Sequence, residues 1–233
     1  MVDKSILKEQ VAYYRARADE YDEWHSRQGR YDRGDEHKFQ WHAELDAVRS
    51  ALEQERPFGK CLELACGTGL WTTCLVQGTA DLTAIDASPE TIEINRTKID
   101  NAPVQYVVAD LFEWWPTEKY DFVFFGFWLS HVPAQQFNRL WEMIRTALKP
   151  GGRAFFVDGL ATQESTARDH AAIDDSGVME RKLNDGRIFN IVKVFHDPAQ
   201  LERQLRDLGW SGSVETTGEF FYYGCVVPIE IDG

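Results

Sequence analysis

The stretch Lys60-Cys-Leu-Glu-Leu-Ala-Cys-Gly-Thr-Gly-Leu-Trp71 constrains this chain more than any other. It opens as an apolar run too short for a helix, bounded by Pro57 and Gly59, and predicts a buried parallel strand. It then enters Ala65-Cys66-Gly67-Thr68-Gly69, where small residues let the backbone turn sharply and approach a ligand closely. Beyond Gly69 the pattern turns helical. A strand that feeds a glycine-rich turn and then a helix places backbone N–H groups at the strand's carboxyl edge, where open α/β sheets bind ligands.

The dinucleotide fingerprint requires Gly, one spacer, Gly, two spacers, then Gly or Ala. Counting from Gly67, the second glycine is Gly69 but the third place holds Thr72, so the match fails at the residue that allows close helix packing. That failure points to a nucleoside ligand without a diphosphate. Asp81–Asp86 reads as the next strand, and it ends in a carboxylate. Two acceptor oxygens suit the two hydroxyls of a ribose, which makes Asp86 the expected ribose ligand. The alternative role for Asp86 is capping the helix that starts near Pro89, and Ser88 fills that role better.

With Glu63, the Ala-Cys-Gly-Thr-Gly turn and the acidic end of the second strand, the sequence resembles the class I S-adenosylmethionine-dependent methyltransferases. The resemblance runs from about Tyr13 to Pro228, and Ala65 departs from it where many members carry Gly. It implies a Rossmann-like, doubly wound α/β fold with a seven-stranded, mostly parallel sheet, an antiparallel C-terminal strand and an N-terminal helical cap. Residues 1–233 then form a single domain, with 1–56 as the cap or lid and 57–233 as the core, including an insert and hairpin over 159–195.

The resemblance also distributes roles. Glu63, Ala65, Cys66, Gly67, Gly69 and Trp71 would surround the cofactor turn, with Asp86, Ala87 and Ser88 at the end of the second strand. Val104–Asp110 reads as the third strand; Asp110 would face the adenine amino group and Leu111 the ring. Tyr120–Gly126, nearly all apolar, reads as a strand buried on both faces. It delivers Phe127-Trp128-Leu129-Ser130-His131 to the same edge, where Phe127 and Trp128 could offer a π-face to a sulfonium or an acceptor. His131 is the general-base candidate, since imidazole accepts a proton near neutral pH. It is alternatively a capping or cofactor-contacting residue.

Ahead of the core, Ser5 to about Trp24 is rich in helix formers and unusually dense in aromatics. By resemblance Tyr14 or Tyr21 would reach the methionine carboxylate and Trp24 would lie near the methyl group; alternatively these rings anchor the helix on the sheet, as Tyr13 is expected to do. A charged loop from His25 to Gly34 and a helix from Asp35 to Gln54 follow. Arg30, Tyr31, Arg33, His37 and Trp41 could form a lid, with Trp24, Arg30, Trp41, Trp128 and His131 against the acceptor.

Downstream, a helix from about Ala134 to Leu148 leads through Lys149-Pro-Gly-Gly152 to a fifth strand, Arg153–Asp158. Gly159 to Met179 is polar, predicting loop and helix. Segments on either side of Asn184-Asp-Gly186 predict a hairpin, which together with the polar segment is expected to cover the acceptor site, where Arg168 and His170 are candidates. Asp197-Pro198 starts a helix ending near Leu208. Ser213–Thr217 and Phe220–Val227 read as the last two strands.

The formal net charge of −13 disfavours binding to phosphate backbones, so no nucleic-acid partner is expected. No apolar run approaches the ~20 residues of a membrane span, and the first residues lack a signal-peptide pattern; a soluble, cytoplasmic protein is expected. Cys61, Cys66, Cys74 and Cys225 lack paired metal spacing, as do His25, His37 and His42, so no metal is expected. The expected reaction is methyl transfer from S-adenosylmethionine to an O, N, S or C nucleophile of a small molecule. Two alternatives share the same turn: a cyclising or eliminating enzyme that uses this cofactor without methylating, and a cofactor-binding regulatory protein. The sequence leaves oligomeric state open.

Overall fold

The computed structural model describes residues 4–100, 102–170 and 177–229. Among them, the strands are β1 (Lys60–Leu64), β2 (Asp81–Asp86), β3 (Val104–Val108), β4 (Tyr120–Gly126), β5 (Leu148–Gly159), β6 (Val178–Lys182), β7 (Ile188–Val192), β8 (Trp210–Thr216) and β9 (Phe221–Pro228). Seven of these form one sheet in the order β3-β2-β1-β4-β5-β9-β8, and β6 pairs with β7 as a separate hairpin. β1 to β5 run parallel, whereas β9 is antiparallel to both of its neighbours, β5 and β8. This is the expected Rossmann-like sheet. Its strand order reverses between β1 and β4, which opens a crevice at their carboxyl ends.

The period of two along β4 separates two cores. Val123 and Phe125 face the layer that contains Trp141, Ile144, Leu201 and Leu205. Those four lie on α6 (Phe137–Ala147) and α7 (Pro198–Asp207), which complete the helix series α1 (Lys4–Ala16), α2 (Tyr21–Ser26), α3 (Asp35–Gln54), α4 (Thr72–Leu75) and α5 (Pro89–Ile99). Phe122 and Phe124 face the other way, against Trp41, Leu45, Val48 and Leu52 of α3. Those four recur at helical spacing, so α3 presents one apolar stripe to the sheet. Its Glu44 carboxylate accepts the Thr217 hydroxyl at 2.6 Å and the amides of Glu219 and Phe220 at 3.0 and 2.9 Å, fastening α3 to the β8–β9 turn.

Several expectations about element ends are corrected. The single helix expected from Ser5 to Trp24 is broken: α1 gives way to a 3₁₀ turn over Ala18–Glu20 before α2 begins. The change of direction follows the burial of Arg17, whose guanidinium lies 4.8 to 5.9 Å from the ring centres of Tyr13, Tyr21 and Tyr31. The helix after the glycine turn is only the four residues of α4. It stops before Gly78, where a Cβ would come within 2.4 Å of the Phe58 ring. The fifth strand starts at Leu148, through the Lys149-Pro-Gly-Gly turn, with an irregular register between Tyr120 and Phe122. Of the loop and helix expected over Gly159 to Met179, the described residues show one 3₁₀ turn, Gln163–Ser165, and Met179 already belongs to β6; 171–176 lie outside the described residues.

Candidate active site

The glycine turn sits where β1 ends. Ala65, Gly67 and Gly69 have φ of 53°, 49° and 88°, a region open to glycine and uncommon for alanine. Two carboxylates brace it. Asp86 Oδ2 accepts the Gly67 amide at 2.9 Å, while its Oδ1 accepts the Ser88 amide at 2.8 Å. Burial raises the Asp86 pKa and these hydrogen bonds oppose the rise. Behind the turn, buried Glu63 accepts the Thr72 hydroxyl at 2.7 Å, and burial pushes its pKa to about 8. Asn95 donates to Thr72 Oγ1 at 2.9 Å and also to the Gly67 carbonyl at 3.3 Å. Ser88 caps α5 by accepting the Thr91 amide at 3.1 Å.

A first chamber opens above this turn. Ala65, Gly67, Asp86, Ala87 and Ser88 form its floor, with Asp110 and Leu111 beyond β3 on one side. Phe127, Trp128 and His131, beyond β4, form the opposite side; Tyr14 of α1 and Tyr21 of α2 close it from above. Phe127 is held at φ 56° by its amide, which donates to the Val157 carbonyl at 2.7 Å. The other residues expected here stand behind the wall. Glu63, Cys66 and Trp71 are buried, and a Cβ on Gly69 would lie 2.6 Å from Asn95 Oδ1. Gln10 and Phe112 also line this chamber; neither stands out in the sequence from an ordinary helix or loop position.

A second chamber lies on the far side of Tyr14, Tyr21, Phe127 and His131, which line both. Of the residues expected against the acceptor, Trp24 and Trp41 line it, whereas Trp128 lines the first chamber alone and Arg30 lines neither. Arg30 instead donates to the Lys182 carbonyl, tying the loop before α3 to the hairpin. Arg168 is likewise absent from the lining, and its amide donates to the Arg30 carbonyl; His170 lines the second chamber. Burial, with Arg181 and Arg30 nearby, drives the His170 pKa down to about 3.

The charge of this chamber is absent from the sequence reading. Arg17, Arg181 and Lys193 all line it, against one carboxylate among the described residues, Asp158. Asp158 is already engaged by the Ser130 amide and hydroxyl, both at 2.8 Å, and by the Gly159 amide at 2.7 Å. Lys193 donates to Ser130 Oγ at 2.7 Å; burial lowers its pKa to about 8, opposed by Asp158 3.8 Å away. The Tyr13 hydroxyl, buried beside Arg17, has no partner among the described residues.

His131 occupies the boundary between the chambers. Its Nδ1 lies 2.7 Å from the Val192 carbonyl, which can only accept, so Nδ1 carries the proton. Nε2 therefore accepts, and the Tyr14 hydroxyl donates to it at 2.7 Å. Burial, followed by nearby Lys193, lowers the His131 pKa well below its ordinary value. The imidazole is neutral and its lone pair is occupied.

A family model described as a methyltransferase domain matches residues 61–152. Across the whole chain the protein is similar to DhpI. The DhpI complex with SAH has 36% identity and a TM-score of 0.78, covering 99% of this chain and 100% of that one. The complex of DhpI with SAM and HEP has 37% identity and a TM-score of 0.81, covering 98% and 100%. A demethylmenaquinone methyltransferase of Staphylococcus aureus (strain MRSA252) is 38% identical over 98 residues, so the match spans 40% of each chain. Among the described residues no helix is long and apolar enough to cross a membrane.

Proposed function

Because the chain belongs to the class I S-adenosylmethionine-dependent methyltransferases, we propose that it transfers the methyl group of S-adenosylmethionine to a small acceptor bearing an anionic group. The observation that carries the acceptor class is the second chamber, where Arg17, Arg181 and Lys193 face, among the described residues, the single and already bonded carboxylate of Asp158. Buried cations in excess of their counter-charge are unfavourable, and an oxyanion would offset that through charge-assisted hydrogen bonds. The likeness to a DhpI complex containing SAM and HEP supports a small ligand beside the cofactor.

The first chamber suits the cofactor by its donor set. Each Asp86 oxygen has spent one lone pair on a backbone amide and keeps another for a ribose hydroxyl. Asp110, whose Oδ1 holds the Phe112 amide at 2.9 Å, offers its other oxygen toward an adenine amino group, with Leu111 against the ring. S-Adenosylmethionine supplies a methyl group already made electrophilic by its sulfonium. Tyr14, Tyr21 and Phe127 form the partition through which that methyl group must pass, and their rings exclude water there. Arg17, Arg181 and Lys193 orient the acceptor and favour its deprotonated form, so transfer to an anionic oxygen requires no general base. Positioning of this kind supplies ~7–11 kcal/mol of barrier reduction in favourable cases.

Titration with S-adenosylhomocysteine tests the cofactor site directly: wild type binds it, and Asp86→Ala binds it far more weakly. Mass spectrometry with small carboxylates, sulfonates, phosphates and phosphonates, beside neutral alcohols and amines, tests the reaction. Equal yields of methylated oxyanion and S-adenosylhomocysteine are expected. Turnover confined to neutral acceptors would sink the anionic class, and release of methylthioadenosine without methylated product would sink methyl transfer itself.

A further inference from the structure

Three segments far apart in the chain meet at the boundary between the chambers through a closed ring of hydrogen bonds. Gln10 of α1 donates from Nε2 to the His131 carbonyl at 3.2 Å and accepts the Val192 amide of β7 on Oε1 at 3.0 Å. His131 returns both contacts with its side chain. Nδ1 donates to the Val192 carbonyl and Nε2 accepts from Tyr14 of α1, each at 2.7 Å. The ring is out of solvent, with Gln10 4% and His131 6% exposed and Val192 fully buried. Each of its polar atoms would lose a partner in an apolar setting if one member left, so the ring closes or opens as a whole.

The two elements joined by this ring reach the chambers differently. Gln10 and Tyr14 of α1 line the first chamber and Tyr13 and Tyr14 the second, whereas no residue of β6 or β7 lines the first. Ile191 of β7, Arg181 of β6 and neighbouring Lys193 line the second. Around the ring, α1 and the hairpin share one small apolar cluster, Tyr13, Leu183 and Ile191. The Asn190 amide also donates to Glu9 at 2.6 Å.

We propose that Gln10 and His131 are positioning residues that clasp α1 to the β6–β7 hairpin, so that cofactor held in the first chamber orders the wall of the second. This rests on the reading of the first chamber as the cofactor site. The coupling is reciprocal by linkage: an acceptor that settles the hairpin tightens the hold on the cofactor. It also gives His131 a task that requires the neutral ring, since both ring nitrogens are committed to the clasp.

Amide hydrogen exchange read by mass spectrometry tests this, with S-adenosylhomocysteine as the probe. In wild type the probe slows exchange over residues 188–192 as well as over α1, by ~5-fold or more, the low end of ordinary coupling between sites. In Gln10→Met, which has the length of glutamine without its polar atoms, the probe, added at a concentration that saturates the variant, still slows exchange in the glycine turn but no longer in the hairpin. Gln10→Glu, which keeps the acceptor for the Val192 amide and loses the donor to the His131 carbonyl, is read in the same way should Gln10→Met not fold. Unchanged hairpin exchange in wild type, or hairpin protection retained in the variants, overturns the clasp. Absence of any binding heat or glycine-turn protection in wild type indicts the cofactor site instead.

Discussion

Asp86 holds the Gly67 amide at 2.9 Å across the crevice floor, so the carboxylate at the end of β2 fixes the shape of the turn that ends β1. One side chain thereby does two things: it braces the glycine turn and keeps acceptor capacity pointed at the chamber. Asp86→Ala removes both. Because a hydrogen bond to a charged group contributes about 1.5–3 kcal/mol, S-adenosylhomocysteine affinity should fall by ~10–150-fold for each ribose hydroxyl that loses its acceptor. Titration calorimetry checks this, and undiminished affinity would take Asp86 out of the site.

His131 is neutral with its lone pair engaged by Tyr14, and its pKa is depressed by burial. It therefore undergoes no charge change between about pH 6 and pH 8, where an ordinary histidine titrates. His131→Ala should lower kcat/KM by ~10-fold or more while leaving both limbs of the pH profile in place. Loss of the acidic limb in the variant would instead mark His131 as a base.

Lys193 titrates at about 8, held down by burial. It is charged below that value and neutral above it, so the second chamber loses a cation as the pH rises. The KM for an anionic acceptor should accordingly climb above about pH 8 in wild type. Lys193→Met should show the higher KM, by ~10–100-fold, already at neutral pH and without that climb. Steady-state kinetics across the alkaline range decide it.

Glu44 accepts three donors from the β8–β9 turn, and these lower its pKa against the opposing effect of burial. A carboxylate depressed in the fold contributes stability above its ordinary value of 4.5, and that contribution is lost as the pH falls through the lower, folded value. Glu44→Gln should therefore be less stable than wild type at neutral pH, by about 1–3 kcal/mol for donors left poorly satisfied. The gap should narrow on acidification. Urea unfolding at neutral and acidic pH measures both effects.

Much of this protein was legible along the chain because the relevant signals are local. The run Tyr120–Gly126 alternates its residues between two cores, and its uniform apolarity already implies burial on both faces. Ser88 and Asp197 cap α5 and α7 where a short polar residue precedes a proline. The N-terminal break was not legible, since helix formers continue through Arg17 and nothing nearby in the chain requires a change of direction.

Periodicity and turn chemistry along the chain dictate the short buried strands, the glycine turn after the first of them and the carboxylate of Asp86 at the end of the second. The seven-stranded sheet and the placing of Asp110, Phe127 and His131 along its carboxyl edge followed from the resemblance to the class I methyltransferases. The convergence of Arg17, Arg181 and Lys193 on one chamber, and the capture of His131 by Tyr14 and Val192, arise from contacts between segments distant in the chain. A charged residue on a helix or hairpin has the same local pattern whether water or protein surrounds it. Its energetics, and hence its role, are set by which distant segments remove it from solvent.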